Sequence, residues 1–120
     1  IHHRPGFSSS SFNGFPKAMP DDPELYANRP EKYSRIVHCE MNALLHAYES
    51  VKGYTLYTTG CSCDRCFVHM LQAGITRFVY WEDTPDMRLR WQESFDKVQK
   101  YASEVPGVEM VEAPLHLRKR

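Results

Sequence analysis

Leu56-Tyr57-Thr58-Thr59-Gly60-Cys61-Ser62-Cys63-Asp64-Arg65-Cys66 is the stretch on which the reading of this chain turns. It begins in a β-prone run, Thr55–Thr59, apolar enough for a buried strand. It ends in the first turn of a helix expected over Asp64–Ala73, with Gly74 at the C-terminal cap. Cys63 and Cys66 stand three apart, so both sulfurs project from one face of that turn. Unpaired amides and the positive end of the helix favour thiolate over thiol there. Upstream, His38-Cys39-Glu40 opens a second helix, expected from about 38 to 50 because Met41, Leu44, Leu45 and Tyr48 recur at helical spacing. The two helix N-termini can therefore meet around one cation.

Three soft ligands, His38, Cys63 and Cys66, leave the fourth position of a tetrahedral zinc open for water, the arrangement that separates catalytic from structural zinc. Zinc lowers the pKa of such a water to about 7. Glu40, two residues from the imidazole, is the candidate catalytic residue. It would take a proton from the water, hand it to a ring nitrogen and later protonate departing ammonia. H-x-E followed by C-x-x-C is the signature of zinc nucleobase deaminases, in which the glutamate is not a ligand; Ser62 stands where that signature has proline. Other readings remain open. A redox C-x-x-C rarely has a third cysteine two residues upstream. A structural zinc would need a fourth ligand, for which Cys61 is the obvious candidate. His46 and His69 fall on helical faces where a surface histidine is the commoner explanation. Cys61 could compete with Cys63, but only Cys63 has the spacing to Cys66, so Cys61 is assigned to the pocket lining. Cys39 is read as a small core residue whose backbone amide faces the substrate.

Outward from these motifs, Ile75–Trp81 is the clearest strand, Met87–Val105 a long amphipathic helix with Leu89, Phe95, Val98 and Tyr101 on one side, and Val108–Val111 the last strand. Strands alternating with helices over residues 37–112 predict a mainly parallel sheet covered on both faces. Residues 1–36 read as an irregular section broken by prolines, glycines and serines. Within it, Ile1–Arg4 and Ser10–Phe12 could be strand remnants and Glu24–Ala27 a helical turn. Residues 113–120 are expected to be a tail ending in Arg118-Lys119-Arg120.

With 120 residues the chain is the size of one domain. Fifteen basic residues balance fifteen acidic ones, so no global field draws it to nucleic acid or membrane. No apolar run approaches the roughly 20 residues that span a bilayer. No signal-peptide pattern opens the chain, and its cysteines are clustered as for metal or redox chemistry; a cytosolic compartment is expected.

The chain resembles the deoxycytidylate (dCMP) deaminases of the cytidine deaminase superfamily. Ser11-Phe12-Asn13-Gly14-Phe15-Pro16 followed by Asp21-Asp22 is similar to that family's G-Y-N-G-x-P loop and trailing acidic pair. His38-Cys39-Glu40-Met41-Asn42-Ala43-Leu44 resembles its H-A-E-x-N-A-I helix, Gln72-Ala73-Gly74-Ile75 its Q-A-G-I turn, and Arg90-Trp91-Gln92-Glu93-Ser94-Phe95 the last helix of bacterial and phage members. The resemblance implies a three-layer α/β/α sandwich with a central mixed sheet, here with a short or divergent N-terminal part. It also implies zinc as cofactor, conversion of dCMP to dUMP with release of ammonia, and a homo-oligomer. It assigns Asn13 to the sugar and phosphate; composition alone makes Asn13-Gly14 a turn.

Two rivals are carried forward. A tRNA adenosine deaminase would share the zinc residues, but zero net charge supplies no basic face for RNA. A zinc-stabilised module that binds a nucleotide or protein without turnover would give Glu40 no duty. A small-molecule nucleotide is the expected partner.

Overall fold

Strands β1 (Thr55–Thr58), β2 (Arg77–Trp81) and β3 (Glu109–Ala113) form a parallel sheet in that spatial order. The computed structural model describes residues 13–20, 22–47 and 50–117. Helices α1 (Pro23–Ala27), α2 (Arg29–Arg35) and α3 (Cys39–Leu45) precede β1. The β1–β2 crossover is α4 (Asp64–Ala73), the β2–β3 crossover is α5 (Pro85–Arg90) with α6 (Gln92–Glu104), and a 3-10 turn at Leu115–Leu117 follows β3.

Successive side chains of a strand point to opposite faces. Leu56, Phe78 and Met110 stand side by side in register on the face that meets the helices. There they pack with Ala43 of α3, Phe67 and Met70 of α4, and Val98 of α6, and the Phe67 and Phe78 rings lie 4.7 Å apart. α3 packs on α4, and α4 on α6. The neighbouring row, Tyr57, Val79 and Val111, looks the other way, and Tyr57 is 53% exposed. Arg77 on that face reaches Glu109 at 3.4 Å and the Tyr57 hydroxyl at 3.4 Å. The α/β architecture is as expected, with two differences among the described residues. The strands are all parallel rather than mixed, and the face bearing Tyr57 is partly open rather than covered. The segments 1–4 and 10–12, read as strand remnants, lie outside the described residues.

Helix α4 has the expected bounds, because its ends are written in side chains. Cys63 caps its start, and Gly74 closes it in the left-handed region at φ 96°. The Gly74 amide donates to Leu71 and the Ile75 amide to Met70. With Met70 and Ile75 both buried, this is a Schellman closure with its hydrophobic contact.

Other boundaries move for physical reasons. Helix α3 stops at Leu45, well short of residue 50, since Val51 must enter the core ahead of the Lys52-Gly53 turn. The expected Met87–Val105 helix is two helices, broken at Trp91 (φ −113°, ψ 21°). Thr84 caps α5 and Pro85 occupies its first turn, so α5 starts earlier than expected. The section 1–36 is not irregular throughout. Asp22-Pro23 and Asn28-Arg29-Pro30 are cap-plus-proline helix starts, and their prolines begin α1 and α2 rather than breaking structure. Phe15 stacks on Tyr26 at 3.9 Å, seating the preceding loop on α1. β3 runs on to Ala113, and Arg118–Arg120 lie outside the described residues.

Gly74 also has no room for a side chain: a Cβ there would lie 3.0 Å from the Lys52 backbone. Gly74→Ala is expected to destabilise the fold by about 1–3 kcal/mol. A lowered urea midpoint with an unchanged slope would show this; an unchanged midpoint would refute it.

Candidate metal and catalytic centre

His38 occupies the N-cap position of α3, yet its side chain makes no capping bond to that helix. The imidazole turns instead toward α4, where Nδ1 lies 3.4 Å from Cys63 Sγ and 3.3 Å from Cys66 Sγ. The vacated cap is supplied from elsewhere: Asn13 Oδ1 accepts the Cys39 amide at 2.7 Å. Asn13 is held there by paired backbone bonds between Gly14 and Val37, at 2.7 and 3.2 Å. On α4, Cys63 is itself the N-cap, and its sulfur accepts the Cys66 amide at 3.4 Å. Each ligand is thus tied to a helix start.

The three donor atoms lie within 4.8 Å of one another. A tetrahedral zinc with its usual bonds of about 2.0 Å to nitrogen and 2.3 Å to sulfur would space those atoms by about 3.5 Å. The observed nitrogen–sulfur distances, 3.3 and 3.4 Å, are close to that edge length, so this donor set fits Zn²⁺ in size and softness.

Electrostatically the two sulfurs divide one proton. Hydrogen bonding from Cys66 pulls the Cys63 thiol down to about 4, with His38 helping and burial opposing. Cys66 moves the other way, raised by the same contact and by burial. His38 is raised above its ordinary value, chiefly by its hydrogen bond with Cys63. Burial pushes both Cys39 and Cys61 up to about 12, so neither is a thiolate at neutral pH.

A cavity of about 350 Å³ opens beside the triad. His38, Cys63 and Glu40 line it, and Glu40 is only 8% exposed. Asn13, Cys39 and Cys61 line it too, whereas His46 and His69 do not. Cys39, read from the sequence as a core residue with its amide toward the substrate, is half-buried in the cavity lining, and its amide is taken by Asn13. Asn13 does so while capping α3, a duty that the resemblance did not suggest.

Sequence reasoning missed most of the remaining wall. Tyr33 of α2, Asp83 after β2, Met87 and Trp91 at α5, and Ser94 and Phe95 of α6 also line the cavity, together with Lys32 of α2, which the sequence offers only as one of several unranked phosphate partners. Ser94 accepts the Asp64 amide at 2.9 Å and donates to the Asp64 carboxylate at 2.8 Å, locking α6 to the turn that carries the cysteines. Arg88 braces the wall from behind. It bonds Asp83 at 3.3 Å and Glu112 at 2.9 Å, and its guanidinium lies 3.6 Å over the Phe95 ring. The cap signals Thr84-Pro85 could have placed a helix start here, but no local pattern shows which way such a helix faces.

Comparison with known proteins matches this geometry. The family model described as the cytidine and deoxycytidylate deaminase zinc-binding region covers residues 24–82, the span holding His38, Glu40, Cys63 and Cys66. A protein of Aliivibrio fischeri, described as an uncharacterized deaminase in the luxG 3' region, is 32% identical over 111 residues, covering 92% of this chain and 74% of that protein. The chain belongs to the cytidine and deoxycytidylate deaminase family. The human deoxycytidylate deaminase is 30% identical over 78 residues, which are 60% of this chain and 44% of that protein. The chain therefore spans less than half the length of that relative. In fold it is similar to the dCMP deaminase of cyanophage S-TIM5, solved in complex with dCMP and dUMP, with a TM-score of 0.57 and 22% identity over 86% of this chain and 70% of that one.

Membership in that family makes the state of the free ligands consequential. Metal loading must displace the proton held between Cys63 and Cys66, and His38 must be neutral. Acid therefore competes with the ion. Zinc affinity is expected to rise about tenfold per pH unit for each proton displaced. Competition against a chromophoric chelator at pH 6 and pH 8 measures this, and equal affinities would contradict it.

Proposed function

We propose that the chain hydrolytically deaminates a cytosine nucleotide, dCMP plus water giving dUMP plus ammonia, with zinc held by His38, Cys63 and Cys66. The observation that carries the reading is Glu40: a buried carboxylate lining the same small cavity as His38 and Cys63, on the first turn of the helix that bears His38. A bound zinc would supply the Lewis acidity that makes water nucleophilic near neutral pH. Glu40 then takes a proton from the attacking water and delivers it to the ring nitrogen beside the carbon under attack. It then takes the remaining proton from the hydroxyl now on the ring carbon and passes it to the exocyclic amine, so that the C–N bond breaks, the carbonyl forms and ammonia leaves. The cavity volume of about 350 Å³ has room for one nucleotide.

For the phosphate, the sequence offers Arg4, Lys17, Arg29, Lys32 and Arg35 without order, and the cavity favours one of them. Among the described residues, Lys32 is the lysine or arginine that lines it. Arg35 is engaged with Glu31 at 2.9 Å, and Arg4 lies outside the described residues. Lys32 is therefore assigned to the substrate phosphate, and Asn13 and the pocket face of Cys61 to the sugar and base. Homo-oligomerisation is kept in the reading. The open sheet face with Tyr57, Val79 and Val111 supports it, and sedimentation equilibrium would test it.

Ammonia release from dCMP, deoxycytidine and CMP by zinc-loaded protein tests the reading. Turnover of dCMP is expected, falling by roughly 10² to 10⁴ in Glu40→Ala with one zinc per chain retained. No turnover of any of the three by zinc-loaded protein would sink the proposal. Separately, Lys32→Ala is expected to raise KM for dCMP about tenfold and leave deoxycytidine unchanged, since a charge-assisted bond to phosphate is worth about 1.5–3 kcal/mol. Equal losses on both substrates would remove Lys32 from the phosphate site.

A further inference from the structure

Cys39 and Glu40 are consecutive residues in the first turn of α3, and consecutive helical side chains do not ordinarily face each other. Here they meet: Cys39 Sγ lies 3.1 Å from Glu40 Oε1, as donor to acceptor. The meeting is held from the backbone side, because the Cys39 amide is bonded to Asn13 Oδ1 at 2.7 Å. Both side chains line the cavity.

We infer that the Cys39 thiol is a positioning residue for Glu40, fixing the plane in which the carboxylate meets the substrate. This rests on the reading of Glu40 as the proton carrier. The terminal torsion of a glutamate is broad and roughly two-fold, so an untethered carboxylate samples a wide arc about its last bond. Proton transfer needs alignment within about 10–20°. Holding one oxygen fixes the plane of the whole group, and with it the direction of the lone pairs on the second oxygen. A thiol is a weak donor, and a carboxyl oxygen 3.1 Å away is a well-placed acceptor for it. Alanine, the residue at this place in the H-A-E pattern, carries no donor at all. Serine keeps one.

Two measurements test the inference. In steady-state deamination by zinc-loaded protein, Cys39→Ala is expected to lower kcat about tenfold, equivalent to about 1.4 kcal/mol, with KM within about twofold. Cys39→Ser should recover kcat to within about threefold of the parent. Wild-type kcat in Cys39→Ala, or a serine variant no better than alanine, overturns the inference. The second measurement needs no substrate and no metal. In the infrared spectrum, the S–H stretching band that disappears in Cys39→Ala is expected at lowered frequency in the parent, moving up in Glu40→Ala. A band that ignores the loss of Glu40 overturns the contact. Because this readout involves no turnover, an error in the substrate assignment would leave the band shift intact and be recognised as a separate failure.

Discussion

Everything in this structure hangs on the meeting of two helix N-termini. A helix start carries unpaired amides and partial positive charge, and thus welcomes thiolate and repels a cation. Placing a metal site there works because the anionic sulfur stands between the helix end and the ion. Cys63 does this directly, accepting the Cys66 amide while remaining available to the triad. His38 cannot, so the first helix borrows an acceptor from Asn13 across a long loop. The sheet sets the distance between the two starts by burying Leu56 and Phe78 beneath α3 and α4.

The far wall is built on a different principle. Its parts come from α2, the end of β2, α5 and α6, and it is braced by charge and hydrogen bonds. Arg88 joins the end of β2, β3 and the Phe95 ring in one contact set, and Ser94 ties α6 to Asp64. Exposed ion pairs contribute little singly. Arg88 is only 27% exposed and engages two carboxylates and a ring at once, so its role is geometric more than energetic. The break at Trp91 belongs to the same construction. It lets α5 present Met87 and Trp91 to the cavity while α6 keeps Val98 in the core.

The ligand half of the site was legible in the sequence because each of its residues acts through local spacing. His38 and Glu40 are two apart, Cys63 and Cys66 three apart, and Gly74 marks its own turn. Helix α4 is local in that sense, and its bounds were recovered. The rest of the wall was not legible, since Asp83, Trp91 and Ser94 come together only through tertiary packing, which also decides that Lys32 and not another basic residue lines the cavity. Proline misled at Pro30, which sits in the first turn of α2 behind Asn28. At Pro23 the helical turn expected over Glu24–Ala27 is present and starts one residue earlier, behind Asp22. The same residue breaks a helix interior and starts a helix, and only the cap before it tells which. Periodicity misled at Trp91 because apolar spacing continues through a residue whose backbone leaves the helical region.

Asn13 makes the metal site and the pocket loop one object. The segment from His38 to Cys66 carries all three donors and a helix start whose cap it does not supply, with the missing acceptor in a loop far upstream of it. A transplant of that compact segment into another scaffold would bring the metal chemistry without the part that keeps its first helix wound. Reshaping the loop for a bulkier base meets the same constraint from the other side. Any new loop must still present an oxygen to the Cys39 amide, so specificity and ligand geometry in this fold cannot be engineered independently.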